Sequence, residues 1–221
     1  MLTSHSNNPY LPIFIDFSDK SVVIFGGGAV GERKACRFLQ KANVTVVSRS
    51  LTPDLEKYAA GGQIQFVSKD ISKLSESDIQ KLISGAFLVI PATSDSEMNQ
   101  RISDVAKLMG VLVNSTEDAD EVVIPSFIER GGLFIAISSG GESPAVTKLA
   151  RMKIESVIDD DFEKMILLQN EMREYLKTVI SDQKKRQEVL WGIMNDDEIW
   201  GLLSKDFGKA KEAAFNKLKK M

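Results

Sequence analysis

A chain of 221 residues, 27% charged and 43% hydrophobic, has the makeup of a soluble globular protein and is long enough to bury a real core in one large or two small domains. The net charge of -3 argues against a general nucleic-acid binder, which needs a basic face; the single cysteine, Cys36, rules out an intrachain disulfide and fits a reducing cytoplasm. The single histidine, His5, sits in the polar stretch SHSNNP, which excludes a histidine metal cluster and a Ser-His-Asp or Cys-His relay; no run approaches the roughly 20 apolar residues of a membrane span, and no secretory signal opens the chain.

Residues 1–9 read as a loose leader, and Leu11 to Phe17 (LPIFIDF) as an edge strand or packed extension. The stretch that organises the chain is Ser21 to Lys34. Val22 to Phe25 is an apolar run suited to a strand buried on both faces, and it runs into Gly26-Gly27-Gly28-Ala29-Val30-Gly31, a G-x-G-x-x-G. Gly26 permits the tight turn, Gly28 lets a pyrophosphate approach the backbone, and Gly31 lets the next helix pack close to the strand. The helix N-terminal amides then hold the diphosphate of a dinucleotide. Glu32 to Ala42 reads as that helix, with Cys36 as a packing residue, and Val44 to Val47 as a second buried strand ending in Ser48-Arg49-Ser50. Many NAD enzymes carry an acid here for the ribose hydroxyls, and this chain has none. Arg49 meets a 2'-phosphate, stacks on the adenine or faces water, so residue chemistry leaves NAD and NADP open.

Leu51 to Ala60 is a short helix with Pro53 near its start, Ile64 to Val67 a strand, Ser75 to Ser84 a helix, and Ala86 to Pro91 a fourth buried strand. The polar turn Ala92-Thr93-Ser94-Asp95 stands at that strand's C-terminal end, where open α/β sheets bind ligands. Met98 to Met109 is helical and Val111 to Val113 is a fifth strand. The alternation predicts an α/β fold, a Rossmann-like doubly wound parallel sheet.

The pattern breaks after Asn114. Ser115 to Glu121 (STEDADE) is acidic and irregular; Val122 to Ile128 and Leu133 to Ser138 read as a hairpin joined by Glu129-Arg130-Gly131-Gly132, suited to a dimerisation arm or interdomain bridge. Ser143 caps a helix with Pro144 in its first turn, and the rest reads as helices near 145–157, 160–181, 183–194 and 204–220. The boundaries expected are therefore a nucleotide-binding domain over 1–114, a dimerisation and active-site segment over 115–145, and a helical domain over 146–221. Two basic stretches in the last domain, KKR at 184–186 and KLKK at 217–220, are a solvated helix face or an anion patch.

Taken in order, LPIF at 11–14, GGGAVGERKA at 26–35, ATSDSEMNQRISDVA at 92–106, VN at 113–114 and IPSFIERGGLFIAISSGGESPAVTKLARMKIES at 124–156 resemble the precorrin-2 dehydrogenase family. That family includes the N-terminal module of bacterial sirohaem synthase and the bifunctional yeast-type dehydrogenase and chelatase. The resemblance covers about residues 10–200; its most specific part is the SSGG-x-SP element with the hairpin before it.

The resemblance implies NAD-dependent oxidation of precorrin-2 to sirohydrochlorin by a homodimer whose residues 115–145 are exchanged between subunits. It places NAD contacts on Ala29 and Val30 of the glycine loop and on Arg49 and Ser50, with Thr93 and Asp95 flanking the nicotinamide side. Its members often lack the strand-end acid too, so that absence no longer points to NADP. The family's essential acid is an aspartate three residues after the asparagine that ends the fifth strand; this chain has Glu117 there, with Asp118 next to it, so one of the two carries that role. Ser139 matches a serine on the floor of the tetrapyrrole pocket, phosphorylated in some relatives, and it also suits a cap for the turn through Gly140 and Gly141. Arg or Lys side chains of the helical domain are expected to pair with substrate carboxylates. Iron insertion into sirohydrochlorin, as in the bifunctional relatives, and a non-catalytic NAD-binding sensor are the alternative functions. No metal site is read from the residues.

Overall fold

The structure, a computed structural model, describes residues 10–115 and 121–218. The chain divides into two compact units, Met1–Ile124 and Pro125–Met221.

The first unit is built on five parallel strands in the order β3-β2-β1-β4-β5: β1 Ser21–Phe25, β2 Asn43–Ser48, β3 Gln65–Ser68, β4 Leu88–Pro91 and β5 Leu112–Val113. The register runs Val22↔Val44 and Ile24↔Val46 on one side of β1, and Val22↔Leu88 and Phe25↔Pro91 on the other. Strands covered on both faces must be apolar at every position, and β1 is: Val22 and Ile24 point to one face, Val23 and Phe25 to the other. The Val22 face packs on Ala35, Phe38 and Leu55, from α1 (Ala29–Ala35), the turns after it and α2 (Pro53–Ala60). The Val23 face packs on Ile79, Ile83, Met98, Ile102 and Val105, from α3 (Glu76–Ile83) and α4 (Ser96–Leu108). This is the doubly wound arrangement the alternation predicts, with its strand order reversing between β1 and β4 at the place where such sheets bind ligands.

Two expectations in this unit are corrected. Of the two readings of Leu11 to Phe17, the strand does not form: Leu11, Ile13 and Phe14 are exposed, and the segment is an extension that packs through Phe17, its ring 5.3 Å from Phe38 and 5.4 Å from Phe87. The first helix stops at Ala35 rather than Ala42. Beyond it the backbone tightens into three-residue turns, with Arg37 N bonded to Lys34 O at 3.1 Å and Lys41 N to Phe38 O at 3.0 Å, and it leaves through Gln40 at φ 61°.

The second unit opens with the antiparallel hairpin β6 (Ser126–Arg130) and β7 (Leu133–Ile137), where Ile128 faces Ile135 across the pair. Its helices are α5 Pro144–Glu155, α6 Asp160–Val179, α7 Gln183–Met194, α8 Asp197–Leu203 and α9 Phe207–Leu218. Their core gathers Met165, Leu168, Met172, Ile193, Ile199, Leu203, Ala210 and Ala214. The sequence reading has one helix over 204–220 and none over 197–203. The chain instead breaks between α8 and α9, where Asp206 accepts from the N–H of Lys209 at 3.1 Å and Asp196 caps α8 through the N–H of Glu198 at 3.1 Å. Within the basic stretches, Arg186 donates to the carbonyls of Ile180 and Ser181, and Lys217 pairs with Asp196 and Glu198. Among the described residues no helix is long and apolar enough to cross a membrane.

Candidate functional site

The chain leaves β1 through a loop gripped on two sides. Gly26 donates its N–H to Val47 O at 2.9 Å and has φ +126°; a Cβ there would lie 2.3 Å from Ala92 O, so side-chain bulk and handedness both demand glycine. A Cβ on Gly31 would lie 1.9 Å from Gly26 O, which fixes how closely α1 sits on the loop. Gly28 is different: a Cβ there meets nothing within 4 Å. Its open face is the cradle in which a phosphate can lie against bare backbone, next to helical N–H groups that have no partner inside their own helix. These residues fit a dinucleotide diphosphate. Gly27, which the sequence reading left without a role, closes the other side, since its Cβ would lie 2.2 Å from Ser50 O and its carbonyl accepts from Thr52 N at 3.0 Å.

The loop is therefore wedged between the ends of β2 and β4. That brings Gly26, Gly28, Ala29, Val30, Gly31, Ser50 and Thr93 to one edge of the sheet, with Val30 presenting an exposed apolar side chain. Arg49 leaves the end of β2 for an exposed pair with Asp70, Nε to Oδ1 at 3.8 Å. The Ser72 hydroxyl, and less strongly Arg49, hold the Asp70 carboxyl below its usual range. The acid missing from β2 thus has a counterpart at the end of β3, where it faces the arginine.

Thr93 and Asp95 are held by a residue the sequence reading overlooked. Asn99, on α4 and almost fully buried, accepts from the N–H of Thr93 at 3.0 Å, lies 2.7 Å from the Thr93 hydroxyl, and donates its amide to Thr93 O at 3.1 Å. Asp95 caps α4 through the N–H of Met98 at 3.0 Å. The available signal was an asparagine at the apolar spacing of α4, on the face that buries Met98, Ile102 and Ala106.

Glu117 and Asp118 lie outside the described residues. The positions that flank them are tied: Asn114, 5% exposed, donates its amide to Val122 O at 2.8 Å and accepts from the Lys34 ammonium at 2.5 Å. In the second unit Ser139 closes the turn through Gly140 and Gly141: its carbonyl accepts from the N–H of Glu142 at 3.2 Å and its hydroxyl from the N–H of Ser143 at 3.0 Å. That hydroxyl also lies 3.1 Å from the Thr147 hydroxyl at the start of α5, and the N–H of Gly140 goes to the Ser138 hydroxyl at 3.0 Å.

A family model described as putative NAD(P)-binding matches residues 13–126. The chain is 43% identical to precorrin-2 dehydrogenase of Methanosarcina barkeri over 94% of its own length and 93% of that protein. It is 34% identical to sirohaem synthase 1 of Pectobacterium atrosepticum over 80% of its length, and the aligned part is 36% of that longer relative. The solved structure of SirC, a precorrin-2 dehydrogenase, superposes with a TM-score of 0.75 at 26% identity, covering 96% of this chain and all of that one.

Proposed function

The chain belongs to the precorrin-2 dehydrogenase family shared with the N-terminal module of sirohaem synthase, and from that premise we propose that it oxidises precorrin-2 to sirohydrochlorin with NAD as acceptor. It is an NAD(P)-binding dehydrogenase of sirohaem biosynthesis. One observation carries the nucleotide half of this reading: of the glycines in the loop, the one with room above it is Gly28, where the diphosphate needs it.

Bound there, NAD supplies the hydride acceptor. Two electrons and two protons leave the macrocycle, as one hydride and one proton, so the chain must orient the donor carbon and receive the proton. The glycine loop and the first turn of α1 hold the diphosphate. Arg49 and Ser50 border the adenosine side, and Thr93 and Asp95, fixed by Asn99, border the nicotinamide side. Glu117 or Asp118 takes or orients the proton, and Ser139 borders the tetrapyrrole. In a macrocycle-sized site the extra methylene of Glu117 over aspartate moves its carboxylate by about 1 Å, a displacement that can cost about a hundredfold in rate, which makes Asp118 a real competitor for the role.

The protein works as a cytoplasmic homodimer in this reading. Support comes from the second unit, where Phe127 and Phe134 on the hairpin and Val146, Leu149 and Met152 on α5 are exposed apolar residues that a second copy would cover. A monomeric mass in sedimentation would remove the dimer. Mixing the chain with enzymatically made precorrin-2 and NAD, and following NADH together with the sirohydrochlorin spectrum, tests the activity. A chain that binds NAD yet never reduces it with this substrate is not the enzyme, and full activity in both Glu117→Ala and Asp118→Ala removes the carboxylate role.

A further inference from the structure

The strand that ends before Arg49 lies beside the one that leads to Asp70. β2 and β3 run in parallel register to Ser48↔Ser68, and the N–H of Lys69 closes the ladder on Ser48 O at 2.9 Å. Arg49 is thus the first residue past one strand and Asp70 the second past the other, both at the carboxyl edge of the sheet, where ligands bind. The Asp70 carboxylate faces two cations, Arg49 through Nε at 3.8 Å and Lys73 through Nζ at 3.6 Å, and it accepts from the Ser72 hydroxyl at 2.7 Å. The Ser72 hydroxyl first, then the two cations, hold the carboxyl below its usual range, so it is charged at neutral pH. Its side chain is 24% exposed, against 75% for Arg49 and 81% for Lys73; the carboxylate is the fixed member, and the cations are the groups a ligand can reach.

Ion pairs this exposed add little to stability, so folding does not demand the arrangement. Its effect on a nucleotide is larger. An arginine near the end of the second strand is the residue that accommodates the 2'-phosphate of NADP. Here that arginine is already engaged by an acid. A ribose with free hydroxyls brings no charge to this edge, whereas a 2'-phosphate brings close to two negative charges against the Asp70 carboxylate.

We propose that Asp70 is a specificity-determining residue for the nucleotide: by engaging Arg49 and Lys73 and setting a negative charge at the ribose edge, it selects NAD over NADP. The assignment rests on the nucleotide half of the reading above and deepens it, since residue chemistry at the end of β2 left the two cofactors open.

The test uses the full chain, Asp70→Asn, which keeps an acceptor for the Ser72 hydroxyl, Arg49→Gln, and the two combined, with urea unfolding to show that each is folded. NAD, NADP, and the fragments AMP and adenosine 2',5'-bisphosphate are titrated by calorimetry at low and high salt, with no tetrapyrrole present. The unaltered chain should bind NAD about tenfold or more tighter than NADP. Asp70→Asn should leave NAD within about twofold and tighten NADP and the bisphosphate by about tenfold, a gain that shrinks at high salt. Adding Arg49→Gln should remove most of that gain, because the freed guanidinium is the group that takes the phosphate. Equal affinity of the unaltered chain for NAD and NADP overturns the proposal. So does a ratio of the two affinities that Asp70→Asn leaves unchanged, which is the result if the carboxylate only holds the turn at Ile71–Lys73. Equal loss of NAD and NADP in Arg49→Gln would put the guanidinium on the adenine and overturn it as well. If the unaltered chain reduces NAD with precorrin-2 while Asp70→Asn keeps the original ratio, the selectivity role alone fails; if the unaltered chain binds neither nucleotide, the nucleotide reading fails and the role of Asp70 with it.

Discussion

Alanine at Gly31 would put a methyl 1.9 Å from the carbonyl of Gly26, whereas alanine at Gly28 meets nothing within 4 Å. The two substitutions therefore separate folding from binding. Gly31→Ala should cost about 3 kcal/mol or more, the upper end for overpacking, because its neighbour is backbone and cannot swing aside. Gly28→Ala should cost less than about 1 kcal/mol of stability, as its dihedrals suit any residue, yet weaken NAD by about tenfold or more because the methyl occupies the space of the phosphate. Urea unfolding and calorimetric titration of NAD check both; equal NAD affinity in Gly28→Ala would move the diphosphate off this loop. The close packing at Gly26 and Gly31 was legible in the G-x-G-x-x-G spacing. The pairing of Arg49 with Asp70 was not, because the partner is brought in by the register of β3 on β2, which no local pattern encodes.

The turn after β4 is a rigid element because one side chain closes it. Asn99→Ala would leave the N–H and carbonyl of Thr93 without that partner in a part-buried place, at a cost of about 2 to 3 kcal/mol. If the turn borders the nicotinamide, as proposed above, the variant should also lower kcat more than it raises the NAD dissociation constant; thermal melts and steady-state kinetics read the two effects. Full kcat in this variant would take Thr93 and Asp95 out of the site. At this scale the sequence is most readable where physics is local. The runs of β1, β2 and β4, the Thr52 and Ser75 caps and the Ser143-Pro144 helix start all declare themselves. Misreadings fall where local preference is neutral. Residues 36–41 have ordinary helix formers yet tighten into turns, and the α8–α9 break has no glycine or proline at the junction itself, only Asp206 taking an orphan amide of α9. Leu11 to Phe14 is apolar enough for a strand, yet it joins neither sheet.

Each unit of the molecule closes its own core, one on the two faces of the sheet and one among α6 to α9. Both tryptophans, Trp191 and Trp200, belong to the second unit, and Trp200 is the sensitive one, with its ring 5.0 Å from Phe162 and its indole N–H donated to Met194 O at 2.8 Å. Tryptophan fluorescence therefore follows the helical unit, while far-ultraviolet circular dichroism follows both. A ligand stabilises only what must be folded to hold it, and the nucleotide contacts inferred here lie within the first unit. At about 100 times its dissociation constant, NAD should raise the stability of that unit by about 2.7 kcal/mol. In urea the dichroism curve should then split, with its later phase moving to higher denaturant while the fluorescence midpoint stays where it was without NAD. Coincident curves that both move would mean that the helical unit is held folded by the nucleotide as well, and unfolding would have to be treated as a single transition of the whole chain.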